Sequence, residues 1–409
     1  MASKWSERRD LKEDWETISA TKGKEIVKEA LTGHVGMFCG PGKAYVAETV
    51  IGHGHFGTVY QGRATYTRET VAMKVQDIYV RGCLSVEVSM LGQLAGTTGI
   101  PKLFWDGTNK NIHVMVTQLL GPSLRDLMTY YKTNAPWHPY FPAISVARLS
   151  VQMMERLGDV HKKGIVHRDV KPDNILMGQT YSQSDQLYLV DFGIGKKWVR
   201  KDTPFPNPGG KRSDPLRNAH GMAGTLRYAS KFIQLGYFYS MRDDLVSYGY
   251  SAIYMSTGTL PWAGVNAMFA RVRGDMVLEA KMKATPETLC KDMPNEYLAY
   301  MNYCYSLDYG DMPNHENMRT LFMQVCMAKK PKLDDMWQWE LVLEAGKCDC
   351  VAKGKIDPDC KCCIPPAETA AAAAAASPVK SKSYTMAAAE PGKGIAPRRE
   401  PGWHRKPRT

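Results

Sequence analysis

Hydrophobic and polar positions change their period near residue 120, and this change divides the chain into two kinds of structure. Before it, short β-branched and aromatic runs lie between glycine or charged turns, and they predict strands over residues 45–51, 59–63, 71–75 and 112–119. After it, apolar residues recur every three or four positions, which predicts helices around residues 146–160, 245–255 and 296–305. A small strand-rich part followed by a larger helical part predicts an α+β protein with two lobes.

The two ends of the chain differ from this middle part in composition. We expect an N-terminal extension over 1–44, with one short helix over 21–31. The last residues, 346–409, are cysteine-rich, then alanine-rich, then rich in Pro, Lys, Arg and Ser without periodicity, which is typical of a disordered tail. The expected organisation is one unit over 45–345, with an N-lobe of about 45–120 and a C-lobe of about 121–345.

Charge and hydropathy narrow the classes of protein further. The 409 residues include 53 Lys and Arg against 41 Asp and Glu, a net charge of +12, of which +6 falls after residue 345. Such a charge favours acidic partners, among them nucleotide phosphates, acidic peptides, nucleic acid and anionic lipid. No apolar run approaches the roughly 18 residues of a membrane span, and the charged first residues do not resemble a secretory signal. We therefore expect a cytoplasmic or nuclear location and mostly free thiols among the ten cysteines.

A glycine-rich loop lies between two of the predicted strands. Gly52, Gly54 and Gly57 have the G-x-G-x-x-G spacing, and glycine is needed where a backbone approaches a polyphosphate closely. A strand rather than a helix follows this loop, which favours a strand–loop–strand flap over a nucleotide. Lys74 follows one hairpin later, and Glu87 on the next predicted helix is the carboxylate that would hold it. The alternatives are an exposed strand lysine and a glutamate on a solvated helix face.

The segment from His167 to Asn174 carries the strongest chemical signal. Asp169 can accept the proton of an incoming hydroxyl group, Lys171 can neutralise a transferring phosphoryl group, and Asn174 can bind a metal ion. Seventeen residues later, Asp191 begins an Asp-Phe-Gly sequence, where a carboxylate can bridge Mg²⁺ to the β and γ phosphates. Phosphoryl transfer needs positioning and charge neutralisation more than covalent chemistry, and these residue types supply both.

These motifs make the chain resemble a eukaryotic protein kinase over about residues 45–345, and within that fold the casein kinase 1 family. The finer resemblance lies in five other stretches, residues 119–124, 191–197, 224–230, 242–250 and 260–262. Residues 67–72 and 306–309 are similar to the tau-tubulin kinase branch. The resemblance implies a bilobal α+β kinase fold, ATP and Mg²⁺ as cofactors, and protein substrates phosphorylated on Ser or Thr, because Lys171 marks serine/threonine kinases.

The resemblance also implies roles for individual residues. By position in the motifs, Gly52, Gly54 and Gly57 form the phosphate loop, Lys74 and Glu87 the ion pair, Asp169 the catalytic base, and Asn174 and Asp191 the metal ligands. The expected ATP site further includes Ile51, Val59, Ala72, Thr117, Gln118, Leu119 and Leu120. A pseudokinase that acts as a scaffold through its tail is the alternative, and the intact motifs favour the active enzyme.

Two arginines match the position of an anion pocket in the casein kinase 1 family, whose members favour acidic or already phosphorylated sites. Arg227 follows the Gly-Thr pair, and Arg273 lies beyond the Pro-Trp motif. Two guanidinium groups suit phosphate because each offers paired donors. The alternative for Arg273 is an ordinary surface arginine.

The tail leaves several interpretations open. Five of the ten cysteines lie between Cys348 and Cys363, but their C-x-C spacing differs from the usual C-x-x-C, so metal binding, acylation and a thiol-rich linker all remain. The basic end could contact an acidic partner such as RNA, anionic membrane or an acidic protein surface. No motif selects one of these partners, and nucleic acid is not specifically indicated.

Overall fold

The computed structural model describes residues 37–40, 43–54, 57–79, 83–109, 111–134, 140–180, 183–198 and 223–328. The chain divides into two units, and every described residue belongs to the first, Met1–Lys355. The predictions for the helix over 21–31, for the cysteine-rich stretch and for the basic end lie outside the described residues.

Six antiparallel strands form the sheet of the N-terminal lobe, in the spatial order β1-β2-β3-β4-β6-β5. They are β1 (Met37–Gly40), β2 (Lys43–Gly54), β3 (Gly57–Ala64), β4 (Thr70–Asp77), β5 (Leu103–Asn109) and β6 (Ile112–Gln118). β-branched and aromatic side chains such as Tyr45, Tyr60, Val71 and Val116 form a small core on this sheet. The four predicted strands are confirmed, and β1 and β5 were not predicted.

One α-helix in this lobe and eight in the larger lobe account for the described α-helical residues. They are α1 (Cys83–Gln93), α2 (Leu124–Asn134), α3 (Ala143–Lys162), α4 (Lys231–Gln234), α5 (Met241–Thr257), α6 (Ala270–Lys283), α7 (Pro286–Leu289), α8 (Asn295–Ser306) and α9 (His315–Met327). Among them, none combines the length and the apolar character needed to cross a lipid bilayer.

Helix α3 is the centre of the helical lobe. Its predicted apolar stripe, which includes Val146, Met153 and Val160, is fully buried and packs against α5 and α9. Helix α5 begins at a capping box between Ser240 and Asp243 and ends at Gly258, whose φ of 73° is the left-handed conformation that glycine adopts without steric cost. The three helices predicted from periodicity are therefore confirmed as parts of α3, α5 and α8.

Two short antiparallel strand pairs position the loops between the lobes. Strand β7 (Ile165–Val166) pairs with β10 (Lys196–Lys197), and β8 (Ile175–Met177) pairs with β9 (Leu187–Leu189). The loop after β7 carries residues 167–174, and the loop after β9 carries Asp191. The structure is thus the bilobal α+β fold that the sequence predicted. The loop of residues 167–174 and the loop that carries Asp191 both face the sheet.

Candidate active site

A pocket of about 710 Å³ lies between the sheet and the helical lobe, a volume suited to a ligand of nucleotide size. The sequence-predicted residues that line it are Ile51, Gly52, Gly57, Val59, Ala72, Lys74, Glu87, Thr117, Gln118, Leu119, Leu120, Asp169, Lys171, Asn174 and Asp191. Two predicted residues with described surroundings, Arg227 and Arg273, are not among its lining residues, whereas the surroundings of Gly54 lie outside what the structure describes. The fold therefore brings together residues that lie more than 100 positions apart in the sequence.

The glycines of the flap are explained by two different requirements. Gly57 has a φ of 131°, and a Cβ there would collide with the carbonyl oxygen of Val75 on the neighbouring strand. The fold itself therefore requires glycine at this position. At Gly52 the nearest protein atom to an added Cβ would be Val59 Cβ, at an ordinary contact distance of 3.8 Å. Packing does not require glycine there, which fits a backbone that a ligand approaches closely.

Lys74 forms the centre of a buried charge cluster. Its Nζ lies 2.7 Å from Glu87 Oε2 and 2.9 Å from Asp191 Oδ1, so it joins strand β4 to helix α1 and to the loop after β9. Glu87 is only 4% exposed, and the alternative of a solvated helix face does not hold. Lys74 is not an exposed strand lysine either, since its side chain is 14% exposed.

The two carboxylates determine the charge of Lys74. Burial alone would lower the pKa of its amine, but the attraction of Glu87 and Asp191 outweighs burial and raises the pKa above its usual value. In the same way, burial opposes ionisation of Asp191, while Lys74 lowers the pKa of this carboxyl below its usual range. Lys74 is therefore a permanent cation at neutral pH, positioned where phosphate oxygens would benefit from it.

A second cluster surrounds Asp169. Its Oδ2 accepts a 2.7 Å hydrogen bond from Lys171 Nζ, and its Oδ1 accepts two 2.8 Å bonds from the backbone N and the hydroxyl of Thr225. Lys171 Nζ also donates to Thr225 Oγ1 at 2.9 Å. The carboxylate is thus fixed between a cation and a hydroxyl, with Asn174 Nδ2 donating to the Asp169 carbonyl at 2.9 Å.

The backbone of the 167–174 loop is held in an unusual conformation by a residue far away in sequence. Arg168 has a φ of 75°, in the left-handed region where side chains are strained. Asp244 on α5 accepts hydrogen bonds from the backbone N of His167 at 2.7 Å and of Arg168 at 2.8 Å. Asp244 itself is 1% exposed and lies 3.0 Å from His161 Nε2. A fully buried carboxylate therefore stabilises the strained turn that aims Asp169 into the pocket.

The donor chemistry of Asn174 and Asp191 fits a magnesium ion. Val190 N donates to the Asn174 carbonyl at 3.0 Å, which places the two side chains on adjacent loops. Asn174 Nδ2 donates a hydrogen bond to Asp169, and Asp191 Oδ1 accepts one from Lys74. Asn174 Oδ1 and Asp191 Oδ2 are therefore the oxygens available to a hard cation. The described residues contain no cluster of three or more His, Cys, Asp or Glu that could hold a metal, but Mg²⁺ at a phosphate site needs only one or two carboxylates.

The two arginines of the expected anion pocket lie outside this cavity. Arg227 is half-buried, with its guanidinium carbon 5.2 Å from the ring centre of Tyr254. Arg273 is exposed on α6. The anion pocket therefore stays a prediction.

Sequence reasoning missed several residues that shape the site. Thr225 was noted only as part of a family-like stretch, although it contacts both Asp169 and Lys171. Asp244 was likewise part of a matching stretch without a role. Met115 and Leu176 line the pocket as well, and they gave no signal because apolar residues in a strand look alike whether they face a core or a ligand.

Comparison with protein families agrees with this geometry. The family model described as "Protein kinase domain" matches residues 45–332, which is more than half of the chain.

Proposed function

Because the chain belongs to the protein kinase family, we propose that it is an active serine/threonine kinase that transfers the γ-phosphate of ATP to protein substrates. The observation that supports activity is the presence, in one pocket, of both charge clusters: Lys74 with Glu87 and Asp191, and Asp169 with Lys171. A pseudokinase scaffold would have no need to keep both in this geometry.

Each residue has a role that follows from its contacts. Asp169 accepts the proton of the incoming hydroxyl group, and Lys171 beside it offsets the negative charge of the phosphoryl group during transfer. Lys74, kept cationic by its two carboxylates, binds phosphate oxygens of the nucleotide. Residues 118–120 at the end of β6 provide backbone groups for the adenine ring, and the flap glycines cover the phosphates.

Asp191 and Asn174 would hold Mg²⁺ through their available oxygens, and the ion would supply additional charge neutralisation at the phosphates. Lys171 supports serine/threonine specificity, and the stretches around residues 119–124 and 224–230 support membership of the casein kinase 1 family, with features of the tau-tubulin branch in residues 67–72 and 306–309. We further propose a catalytic unit over 45–345 between an N-terminal extension and a tail, a cytoplasmic or nuclear location, and an acidic partner for the basic end.

The test is phosphate transfer to casein by the full chain and by Asp191→Asn, with nucleotide binding measured separately. Asp185→Asn is the matched control, because it makes the same change on an exposed aspartate of the same lobe. We expect transfer by the wild type and by Asp185→Asn and its loss in Asp191→Asn. If the wild type and Asp191→Asn give the same background while ATP still binds, the enzyme proposal fails and the scaffold alternative holds.

Preference for acidic or phosphorylated substrates is a separate part of the proposal, supported by the positions of Arg227 and Arg273. The double variant Arg227→Ala, Arg273→Ala should weaken the use of a phosphorylated peptide more than that of its unphosphorylated form. Arg271→Ala, an exposed arginine on the same helix, is the control. Equal effects on both peptides would remove the anion pocket from the proposal.

A further inference from the structure

Lys281 on helix α6 is a fully buried lysine outside the site described above. Its side chain is 0% exposed, and no carboxylate pairs with it in the described part of the chain. Burying a cation without a carboxylate is costly, so an apolar residue would be the simpler choice at this position. The contacts of its amine must therefore explain why a lysine occupies this buried position.

The amine of Lys281 holds two backbone carbonyls of one segment. Its Nζ donates to Leu226 O at 2.8 Å and to Ala229 O at 2.6 Å. The rings of Trp262 and Tyr250 lie 5.2 and 5.6 Å from Nζ and stabilise the charge by cation–π attraction. A lysine can serve two acceptors three residues apart because its ammonium group carries three donors.

Trp262 holds the same segment at a third point. Its Nε1 donates to the carbonyl of Arg227 at 2.7 Å, so three of the four carbonyls in residues 226–229 are bonded by buried side chains. The segment begins directly after Thr225, whose backbone and hydroxyl contact Asp169. The shape of the segment is thereby connected to the position of the proposed catalytic base.

We propose that Lys281 is a positioning residue that holds residues 226–229 in the conformation that receives the protein substrate beside Asp169. This inference rests on the proposed kinase function. Neither Lys281 nor residues 226–229 line the pocket between the lobes. Loss of the lysine should therefore impair the protein substrate and spare the nucleotide.

Burial lowers the pKa of Lys281 to about 7, which is consistent with a site where only the two carbonyls and two ring faces stabilise the charge. The titratable group that contacts Lys281 is Tyr250 on α5, whose hydroxyl hydrogen-bonds that of Tyr305 on α8. The buried carboxylate of Asp243 on α5 acts on Tyr250, but no carboxylate hydrogen-bonds Lys281 among the described residues.

The experiment compares the full-length wild type with Lys281→Met, Lys281→Arg and Lys283→Met in assays that vary peptide and ATP separately. Lys281→Met keeps the length of the side chain but removes its donors, and Lys281→Arg keeps a charged donor. Lys283→Met is the matched control, because Lys283 is exposed on the same helix and pairs only with Glu279. Thermal unfolding is measured for every variant.

We expect Lys281→Met to raise the KM for peptide by about tenfold, since the two hydrogen bonds from Lys281 Nζ to backbone carbonyls are lost, with the KM for ATP within about twofold of wild type. Lys281→Arg should restore much of the peptide KM, and Lys283→Met should behave as wild type. An unchanged peptide KM in Lys281→Met, or an equal rise in both KM values, would overturn the inference.

The outcomes also separate this inference from the proposed function. If the wild type transfers no phosphate to any peptide or to casein, the kinase proposal fails, and with it the inference. If the wild type is active and only the expected split between the two KM values is missing, the inference alone fails. Should Lys281→Met not fold, Lys281→Gln, which keeps one amide donor, decides by the same two KM values.

Discussion

Two buried lysines, one in each lobe, have pKa shifts of opposite direction, and their hydrogen-bonding partners rather than the extent of their burial explain the difference. Lys74 faces two carboxylates, and its pKa is raised above the usual value. Lys281 is more deeply buried, bonds only to carbonyl groups, and burial lowers its pKa to about 7. The first arrangement keeps a permanent cation available to a ligand. In the second, the amine donates its hydrogen bonds to the backbone of its own lobe.

The largest expected effect comes from removing the cation with carboxylate partners. Lys74→Met should lower kcat by about 100-fold or more, because one electrostatic contact to transferring phosphate is lost and two carboxylates are left facing the pocket. Steady-state kinetics measures this, with thermal unfolding as a check on folding. A kcat within tenfold of wild type would show that the two lysines do not differ in the proposed way.

A smaller effect is expected at the residue that connects the region of Lys281 to the catalytic loop. Thr225→Val keeps the shape of the side chain but removes the hydroxyl that bonds to Asp169 and Lys171. We expect kcat to fall by about tenfold, the loss of hydrogen bonds to charged groups. Thr225→Ser keeps the hydroxyl and should retain most activity. If Thr225→Ser is impaired and Thr225→Val is not, the methyl group rather than the hydroxyl is what matters.

The smallest effect is a difference between the two lysines in how each changes the pH dependence of the folding stability. Between pH 7 and the ordinary lysine pKa of 10.5, an unfolded chain binds a proton at Lys281 that the folded chain has largely released, so folding becomes more favourable as pH rises. Lys74 contributes no such slope, because its raised pKa keeps it protonated in both states. The stability of wild type relative to Lys281→Met should rise by up to about 1 kcal/mol per pH unit from pH 7 to 9. Urea unfolding at pH 7, 8 and 9 measures the difference, and a constant difference would contradict it.

The same contrast explains how much the sequence could predict. Lys74 belongs to a spaced set of motifs with a known chemical purpose, so its pairing with Glu87 could be anticipated before the fold was known. Lys281 lies in a helix that also carries the exposed charged residues Glu279 and Lys283, and no motif distinguishes it from Lys283. Its role appears only when α6 is packed against residues 226–229, which is a long-range event that no local pattern encodes.

Secondary structure was also predictable from the sequence only in part. The strands over 59–63 and 71–75 are short runs with β-branched or aromatic residues, the helix around 146–160 has a clear period of three to four residues, and the fold contains all three. Strand β5 was missed because its Asp106 and Gly107 interrupt the apolar pattern, and it is a strand because β6 supplies its hydrogen-bonding partner. Pairing between strands, rather than intrinsic preference, determined its conformation.

Asp244 limits local unfolding of the loop that carries Asp169. It joins α5 to the amides of His167 and Arg168, residues more than 75 positions earlier in the chain. Those two amides cannot exchange with solvent deuterium unless the loop separates from α5, although they lie in a loop rather than in regular structure. The turn that carries Asp169 therefore belongs to the same cooperative unit as the core helices, and its exchange rates should report on the lobe as a whole.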